Sequence, residues 1–296
     1  METEITKMLG IRYPILAAPM FLVSTPKIMA EVGEAGGLGC MPSLNCRTSA
    51  EFRDAVRETK KLTKAPFGIN LVIKMSGRLQ EDLEICLQEG VRLIITSLGD
   101  PTELVRAAKA KGTFVFSDVI NMRHSKKVEA AGVDAVIAVS AGAGGHAGAI
   151  TPFVLIPWLK ANLKIPVVAS GAIADGKGLA AALALGAGAG YIGTRFIATH
   201  EAPVEKEYKE MILRASPEDI EYTKEVSGTN ANFLKESLEQ FRAGKASGAW
   251  KNVWSAGHNV GLISEIKGCR QVVEEMVSEY GRIVEKLPRL QHEKAA

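Results

Sequence analysis

Cysteine is scarce in this sequence, and its spacing matches neither a disulfide framework nor a zinc site. The four cysteines are Cys40, Cys46, Cys86 and Cys269, and no two of them form a CxxC pair. Scattered cysteines are typical of reduced thiols in cytosolic proteins. The first residues also lack the cationic start and apolar core of a secretory signal peptide. Both absences predict a cytoplasmic protein.

The sequence contains neither a basic block nor a long apolar run. Lysine and arginine number 36 against 33 aspartates and glutamates, which gives a net charge of +3. Without a concentrated basic patch, nucleic acid is not an expected partner. A membrane helix needs about 18 or more consecutive apolar residues, and no stretch meets that length, so we expect no membrane partner. A small-molecule substrate is the expected partner.

Several common catalytic groupings are also missing. There is no acidic pair, no Ser-His-Asp spacing and no cluster of metal ligands beside His146, and His124, His200 and His258 are dispersed along the chain. Lys74 has no neighbouring acid or base that would make it a Schiff-base lysine. No metal is therefore expected, and the difficult chemistry is expected to belong to a cofactor.

A weak repeat runs through the first two hundred residues: a helix-like segment ends in glycine, and an apolar run follows at once. Glycine just past a helix end is the usual left-handed cap, and continuous apolar runs fit parallel strands that are covered on both faces. The predicted strands lie within residues 14–20, 38–41, 67–73, 93–96, 113–116, 135–139, 166–170 and 191–192.

Eight strand–helix units in about 200 residues predict an α/β fold, a (β/α)8 TIM barrel. Residues 1–200 would form the barrel, and residues 201–296 a helical appendage that covers or flanks its mouth, with helices at 205–213, 231–241 and 269–286. An open doubly wound sheet is the alternative. That fold usually places its glycine-rich phosphate loop after the first strand, and no such loop follows the first strand here.

In a TIM barrel the active site lies at the carboxyl ends of the strands. The seventh and eighth predicted strands are followed by glycine-rich segments, residues 169–176 and 193–196. Exposed backbone N–H groups in such loops bind phosphate, so the pair predicts a phosphate-bearing ligand. Tight turns between strand and helix are the alternative explanation of the same glycines.

His146 stands in a loop of small residues, 140–148, directly after the sixth predicted strand. Glycines allow a ligand to approach the backbone, and imidazole exchanges its proton near neutral pH. The loop therefore predicts a catalytic base across the mouth from the phosphate site. A glycine-rich turn with an incidental histidine is the alternative. Asp118, at the end of the fifth strand, either orients His146, binds substrate or caps a helix.

These segments, in this order, resemble the FMN-dependent nitronate monooxygenases, also called 2-nitropropane dioxygenases. Flavin enoyl-acyl-carrier-protein reductases and NAD(P)H:quinone reductases belong to the same superfamily. The resemblance spans nearly the whole chain. It rests on YPILAAPM at 13–20, AGGLG at 35–39, PFGIN at 66–70, GGHAG at 144–148, ASGAIADG at 169–176, GTRF at 193–196 and WSAGHNVGL at 254–262.

The resemblance implies that residues 1–200 bind FMN across the barrel mouth, with NAD(P)H as a further candidate electron donor. It implies that His146 is the base, or a polar substrate partner, beside flavin N5. Asp118 and His258 would contact substrate, with a surface helix as the alternative for His258. Apart from the resemblance, the apolar surface of the C-terminal helices suggests a homodimer. The implied cofactor-binding residues are Ala18, Pro19, Met20, Asn70, Gly144, Gly145, Ser170, Gly171, Ala172, Gly193, Thr194, Ser255 and Gly257.

The implied reaction is the oxidative denitrification of alkyl nitronates with O₂. The alternatives are NAD(P)H-dependent reduction of enoyl thioesters or quinones, a flavin-free sugar-phosphate isomerase or aldolase, and a noncatalytic flavin-binding subunit. Two departures from the family stand out. Ala172 replaces a glycine of many relatives, and Ser117-Asp118 stands where some relatives carry lysine. A carboxylate charge there would disfavour an anionic reduced flavin.

Overall fold

A closed barrel of eight parallel strands forms the centre of the computed structural model, which describes residues 1–248 and 250–292. The predicted (β/α)8 barrel is confirmed. In chain order the strands are β1 (Ile15–Ala17), β2 (Leu38–Pro42), β3 (Gly68–Val72), β4 (Leu93–Ser97), β5 (Phe114–Val119), β6 (Ala135–Val139), the short β7 (Gly145–His146), which lies outside the barrel, β8 (Val167–Ser170) and β9 (Ala189–Ile192).

Three of the helices around the barrel begin directly after a capping side chain. Thr25, Thr48 and Asp175 each accept a backbone N–H in the first turn of their helices, as expected of N-caps. The helices are α1 (Glu4–Leu9), α2 (Pro26–Glu34), α3 (Ser49–Leu62), α4 (Leu79–Gln88), α5 (Thr102–Lys109), α6 (Met122–Ala131), α7 (Pro152–Asn162), α8 (Gly176–Ala184), α9 (Thr194–Ile197), α10 (Lys206–Arg214), α11 (Lys235–Arg242) and α12 (Cys269–His292).

The barrel interior is filled by side chains, so it is a packed core and not a channel. Leu38, Ile95 and Phe116 are fully buried there, and Ile5 and Leu9 of α1 pack into the same cluster. A larger apolar cluster fills the space between the strands and the surrounding helices. Since α1 precedes β1, it covers the amino-terminal end of the barrel, which leaves the carboxyl-terminal end for a ligand.

The prediction of a helix over residues 231–241 is wrong at its start. Residues 231–234 form strand β11 (Ala231–Leu234), which pairs with β10 (Ile220–Thr223) and with β7, and α11 begins only at Lys235. All four β11 residues are buried, and the pairing with a distant segment overrides their local helical pattern. Within residues 252–263 the structure forms only a 3₁₀ turn, His258–Leu262.

The C-terminal helix α12 packs against α8 and α2 on the outside of the barrel. Its Glu279 accepts the Gly176 N–H at the start of α8 over 2.8 Å. No helix among residues 1–248 and 250–292 combines the length and the apolar composition that crossing a membrane requires.

The contact between β2 and α2 leaves no room for a side chain at Gly39. A Cβ atom there would overlap Met29 Cα and lie 2.9 Å from Met29 O. We expect Gly39→Ala to lower the free energy of unfolding by about 1–3 kcal/mol, because strand and helix must separate. Urea unfolding measures this.

The matched control is Gly281→Ala. Gly281 lies inside α12, and a Cβ there meets nothing within 4 Å. The same substitution should therefore stabilise the protein by about 0.5–1 kcal/mol. Unfolding of Gly39→Ala at the wild-type urea concentration would contradict the packing of β2 on α2.

Candidate functional site

Four backbone N–H groups are unpaired at the ends of the neighbouring strands β8 and β9. They belong to Gly171, Ala172, Gly193 and Thr194, and none of them donates a hydrogen bond within the described part of the chain. Gly171 and Ala172 have φ values of +120° and +58°, which turn the backbone sharply after β8. Clustered free N–H groups are the donor set that binds phosphate. We call these four N–H groups the anion cradle, and they lie where the sequence predicts a phosphate site.

Backbone strain gathers around this end of the barrel. The non-glycine residues with positive φ are Leu22, Leu98, Ala172 and Trp250. The first three follow β1, β4 and β8, and Trp250 contacts His146. Each such residue costs about 1–2 kcal/mol, and strain of this kind concentrates at functional sites. Ala172 thus adopts a backbone conformation that glycine would adopt without strain.

Met20 and the cradle lie side by side. A Cβ added to Gly193 would lie 3.6 Å from Met20 Sδ. The Met20 backbone is fixed by its neighbours: its N–H donates to Ser24 Oγ over 2.9 Å, and its carbonyl accepts from Asn45 Nδ2 over 3.3 Å. The end of β1 is therefore positioned to form a wall of the site next to the anion cradle.

The nitrogen and the oxygen of the Asn70 side-chain amide have different surroundings. Its Nδ2 donates to Ile95 O over 3.1 Å and to Ser97 Oγ over 3.3 Å, so the amide nitrogen holds β3 against β4. Its Oδ1 has no partner in the described part of the chain and remains an acceptor. The predicted hydrogen bond to a flavin is thus restricted to one from a ligand donor to Oδ1.

His146 is held by strand pairing. In the antiparallel register of β7 with β11, Ala231 lies opposite His146 and Asn232 opposite Gly145. The imidazole is half-buried, and the Trp250 ring meets it edge-on with centroids 5.2 Å apart. Burial lowers the pKa of His146 below its usual value, so the side chain is neutral at physiological pH. A neutral imidazole at this position is able to accept a proton.

The Ser227 hydroxyl determines which nitrogen of His146 carries the proton. Ser227 Oγ donates its single proton to Thr229 O over 3.0 Å and lies 3.4 Å from His146 Nε2. Because the hydroxyl proton is used, Oγ accepts, and we assign the imidazole proton to Nε2. The lone pair then resides on Nδ1, which becomes the basic atom.

The segment 254–259 joins the His146 loop to the cradle. Gly257 N–H donates to Thr194 Oγ1 over 3.0 Å, and a Cβ at Gly144 would lie 2.9 Å from Gly257 N. Tyr208 supports this segment, since its hydroxyl donates to Ser255 O over 2.6 Å and its ring stacks on Trp254. The structure thus brings Gly144, Thr194, Ser255 and Gly257 together, as the resemblance implies.

His258 lies at the edge of this assembly. Its N–H donates to Gly142 O over 3.1 Å, while its side chain is exposed at the start of the 3₁₀ turn. Its predicted contact with substrate stays a prediction.

Asp118 lies on the inward face of β5, two residues after the interior residue Phe116. Its Oδ1 is buried and has no hydrogen-bond partner among the described residues. Desolvation raises the pKa of this carboxyl to about 7. It neither contacts His146 through a hydrogen bond nor caps α6, whose N-cap is Asn121. The charge expected from the sequence is thus only partly present at neutral pH.

Several functional neighbours were missed from the sequence. Ser227 and Trp250 contact His146, Tyr208 supports Ser255, and Asn232 Nδ2 donates to Ala143 O over 2.7 Å. These residues lie far along the chain from the loops they contact, and none forms part of a recognisable motif. No group of three or more potential metal ligands occurs among the residues that the structure describes.

A barrel that carries a single base beside a phosphate cradle is typical of enzymes whose chemistry is supplied by a phosphate-bearing cofactor. Comparison with known families gives the particular family. The sequence model described as Nitronate monooxygenase matches residues 2–82 and 73–246. The chain belongs to the nitronate monooxygenase family and is an oxidoreductase.

Individual relatives have different reactions. A 5-hydroxy-7a-methyl-1-oxo-octahydro-indene-4-carboxyl-CoA dehydrogenase of Rhodococcus jostii is 32% identical over 91% of this chain and 75% of its own length. A nitronate monooxygenase of Pseudomonas aeruginosa is 31% identical over 79% of this chain and 80% of its own. The structure of FabK from Thermotoga maritima is 35% identical, with a TM-score of 0.89 over 98% of this chain and 99% of that one.

Asp118 gives a pH-dependent stability difference that can be measured without any ligand. The pKa of Asp118 in the folded protein, about 7, lies above its usual value of 3.8. The folded state is therefore more stable at low pH, where the buried carboxyl is neutral, and this stability is lost as pH rises through 7. Asp118→Asn removes this charge. We expect the variant to gain on the order of 2 kcal/mol over wild type between about pH 5 and pH 8, measured by urea unfolding.

Asp54→Asn is the matched control, because Asp54 is an exposed side chain on α3. It should show no such pH-dependent gain. An equal stability difference between Asp118→Asn and wild type at both pH values would show that Asp118 is ionised throughout.

Proposed function

We propose that this protein is an FMN-dependent oxidoreductase that catalyses the oxidative denitrification of alkyl nitronates with O₂. The observation that carries the proposal is the neutral imidazole of His146 at the same end of the barrel as four unpaired N–H groups. The first supplies a base, and the second supplies a site for a cofactor phosphate.

The residues present fit FMN. The unpaired N–H groups of Gly171, Ala172, Gly193 and Thr194 would hold its phosphate, and Met20 and the free Oδ1 of Asn70 would contact its ring. Ala18, Pro19, Ser170, Gly144, Gly145, Ser255 and Gly257 would complete the enclosure. Bound FMN would supply the electron transfer from substrate to O₂.

His146 has two candidate tasks with a nitro substrate. Its Nδ1 lone pair removes the α-proton of a neutral nitroalkane, for which a base with a near-neutral pKa is suited. With a nitronate, which has already lost that proton, the imidazole is only a polar partner of the substrate. The Ser227 contact at Nε2 keeps Nδ1 available in both cases.

A second candidate is the NAD(P)H-dependent reduction of enoyl thioesters or quinones. The observation that favours it is an apolar rim around the mouth: Phe21, Leu22, Met75 and Leu98 are exposed in the loops after β1, β3 and β4. A small nitroalkane has no need of such a rim, whereas an acyl chain would bury it. The similarity to FabK and to a carboxyl-CoA dehydrogenase supports the same alternative.

The cradle is tested by Gly171→Ala. A Cβ there would lie 2.5 Å from Ser140 Oγ, and the φ of +120° is unfavourable for any side chain. We expect FMN to bind at least about tenfold more weakly, a loss of about 1.4 kcal/mol, as measured by quenching of FMN fluorescence. Ala172→Gly is the control: it relieves strain, keeps the N–H group and should retain FMN. Unchanged FMN affinity in Gly171→Ala would contradict the assignment of this loop.

The reaction is tested by anaerobic reduction of the bound FMN. Alkyl nitronate should bleach the flavin quickly, whereas NADH and NADPH should not. His146→Ala should retain FMN, but its reduction by a neutral nitroalkane should be slower by about 10²–10⁴-fold, since the base is gone. Its reduction by preformed nitronate should fall much less. Stopped-flow absorbance measures each rate.

His124→Ala, which changes an exposed histidine on α6, is the control and should behave as wild type. Rapid reduction by NADH or NADPH without reduction by nitronate, followed by reoxidation with an enoyl thioester or a quinone, would replace the first proposal with the second.

A further inference from the structure

We propose that Asp118 is a proton acceptor coupled to flavin reduction: its carboxylate takes up one proton when two electrons enter the bound FMN. The inference rests on the proposed FMN site, and it assigns to Asp118 a task separate from the substrate contact that the resemblance implies. No step of the proposed nitronate reaction uses this carboxyl.

The first observation is the position of the side chain. Asp118 projects inward from β5 near the carboxyl end of the barrel, and the residue is only partly buried. Asn70 lies two strands away on β3, and its amide donates to Ser97 Oγ at the end of the intervening strand β4 over 3.3 Å. Asp118 is therefore at the end of the barrel where the flavin ring would be bound.

The second observation is that no hydrogen bond or opposite charge offsets the burial of the Asp118 carboxyl. Its buried Oδ1 accepts no hydrogen bond within the described part of the chain, and no cation there lowers the pKa of Asp118. The titratable groups that face it across the interior are Cys40 of β2 and Tyr191 of β9. Burial raises the pKa of both, so both are uncharged at neutral pH. Nothing nearby fixes the carboxyl in its ionised form.

These surroundings make the carboxyl responsive to a new charge. Desolvation alone places the pKa of Asp118 at about 7, where ionised and neutral forms are both populated. A flavin ring that has gained two electrons and one proton carries one negative charge. Like charges in a poorly hydrated space repel strongly, so that charge favours the neutral carboxyl.

The step balances in protons and electrons. Two electrons come from the reducing substrate or from an electrode, one proton goes to the flavin ring, and a second proton from solvent goes to a carboxylate oxygen of Asp118. The O–H bond on Asp118 forms and no other bond at this residue breaks. Reoxidation of the flavin releases the same proton.

Proton uptake can be counted directly. The FMN-loaded protein is reduced at an electrode with a mediator in weakly buffered solution at about pH 8, where Asp118 begins ionised, and an indicator dye reports the protons consumed. Wild type should take up close to two protons per flavin, and Asp118→Asn close to one. Asp118→Glu, which keeps a carboxyl, and Tyr191→Phe should both take up close to two.

Uptake of one proton by wild type, or of two by Asp118→Asn, would overturn the inference. If the asparagine variant fails to fold, infrared difference spectra of wild type with ¹³C-labelled aspartate decide: a protonated carboxyl band must appear on reduction. Failure of wild type to bind FMN would overturn the proposed function together with this inference. FMN binding with uptake of one proton would overturn this inference alone.

Discussion

The antiparallel pairing of β7 with β11 is the contact on which the geometry of the site depends. β7 is only two residues long and includes His146. The backbone at His146 is therefore positioned by its pairing with Ala231 and Asn232 of β11. The turn between β10 and β11 places Ser227 next to His146 Nε2, and Phe233 of β11 stacks on Trp250 with ring centroids 4.9 Å apart. One short ladder thus fixes the position of the ring and brings Ser227 and the edge of Trp250 against it.

Desolvation acts on both titratable groups of the site, in opposite directions. It lowers the pKa of His146 and raises that of Asp118, and in each case it favours the uncharged form. The groups at this end of the barrel that would bind an anion are therefore the free N–H groups after β8 and β9. A phosphate bound there meets no full charge from either titratable side chain, whereas a charge that develops during reaction is felt by both.

The barrel was predictable because its signals are local. A glycine cap followed by an apolar run depends on a few adjacent residues, and the cap residues Thr25, Thr48 and Asp175 act within one helical turn. β11 was not predicted, because it is the central strand between β10 and β7, and β7 lies far away in the chain. The contact of Ser227 with His146 spans 81 residues, and no local pattern records it. The orphaned oxygen of Asp118 likewise emerges only when the barrel closes around it.

His146 and Asp118 would each accept a proton at this end of the barrel, but from different sources. A base at Nδ1 of His146 receives a proton that leaves a substrate carbon, and that proton must return to solvent before the next turnover. The Ser227 contact at Nε2 opposes loss of the ring's other proton, because Ser227 Oγ is then left without a donor. A carboxyl on β5 receives its proton from solvent and only when the flavin is charged. Substrate deprotonation and compensation of flavin charge are therefore assigned to separate side chains, on β7 and β5, and each is tuned by its own burial.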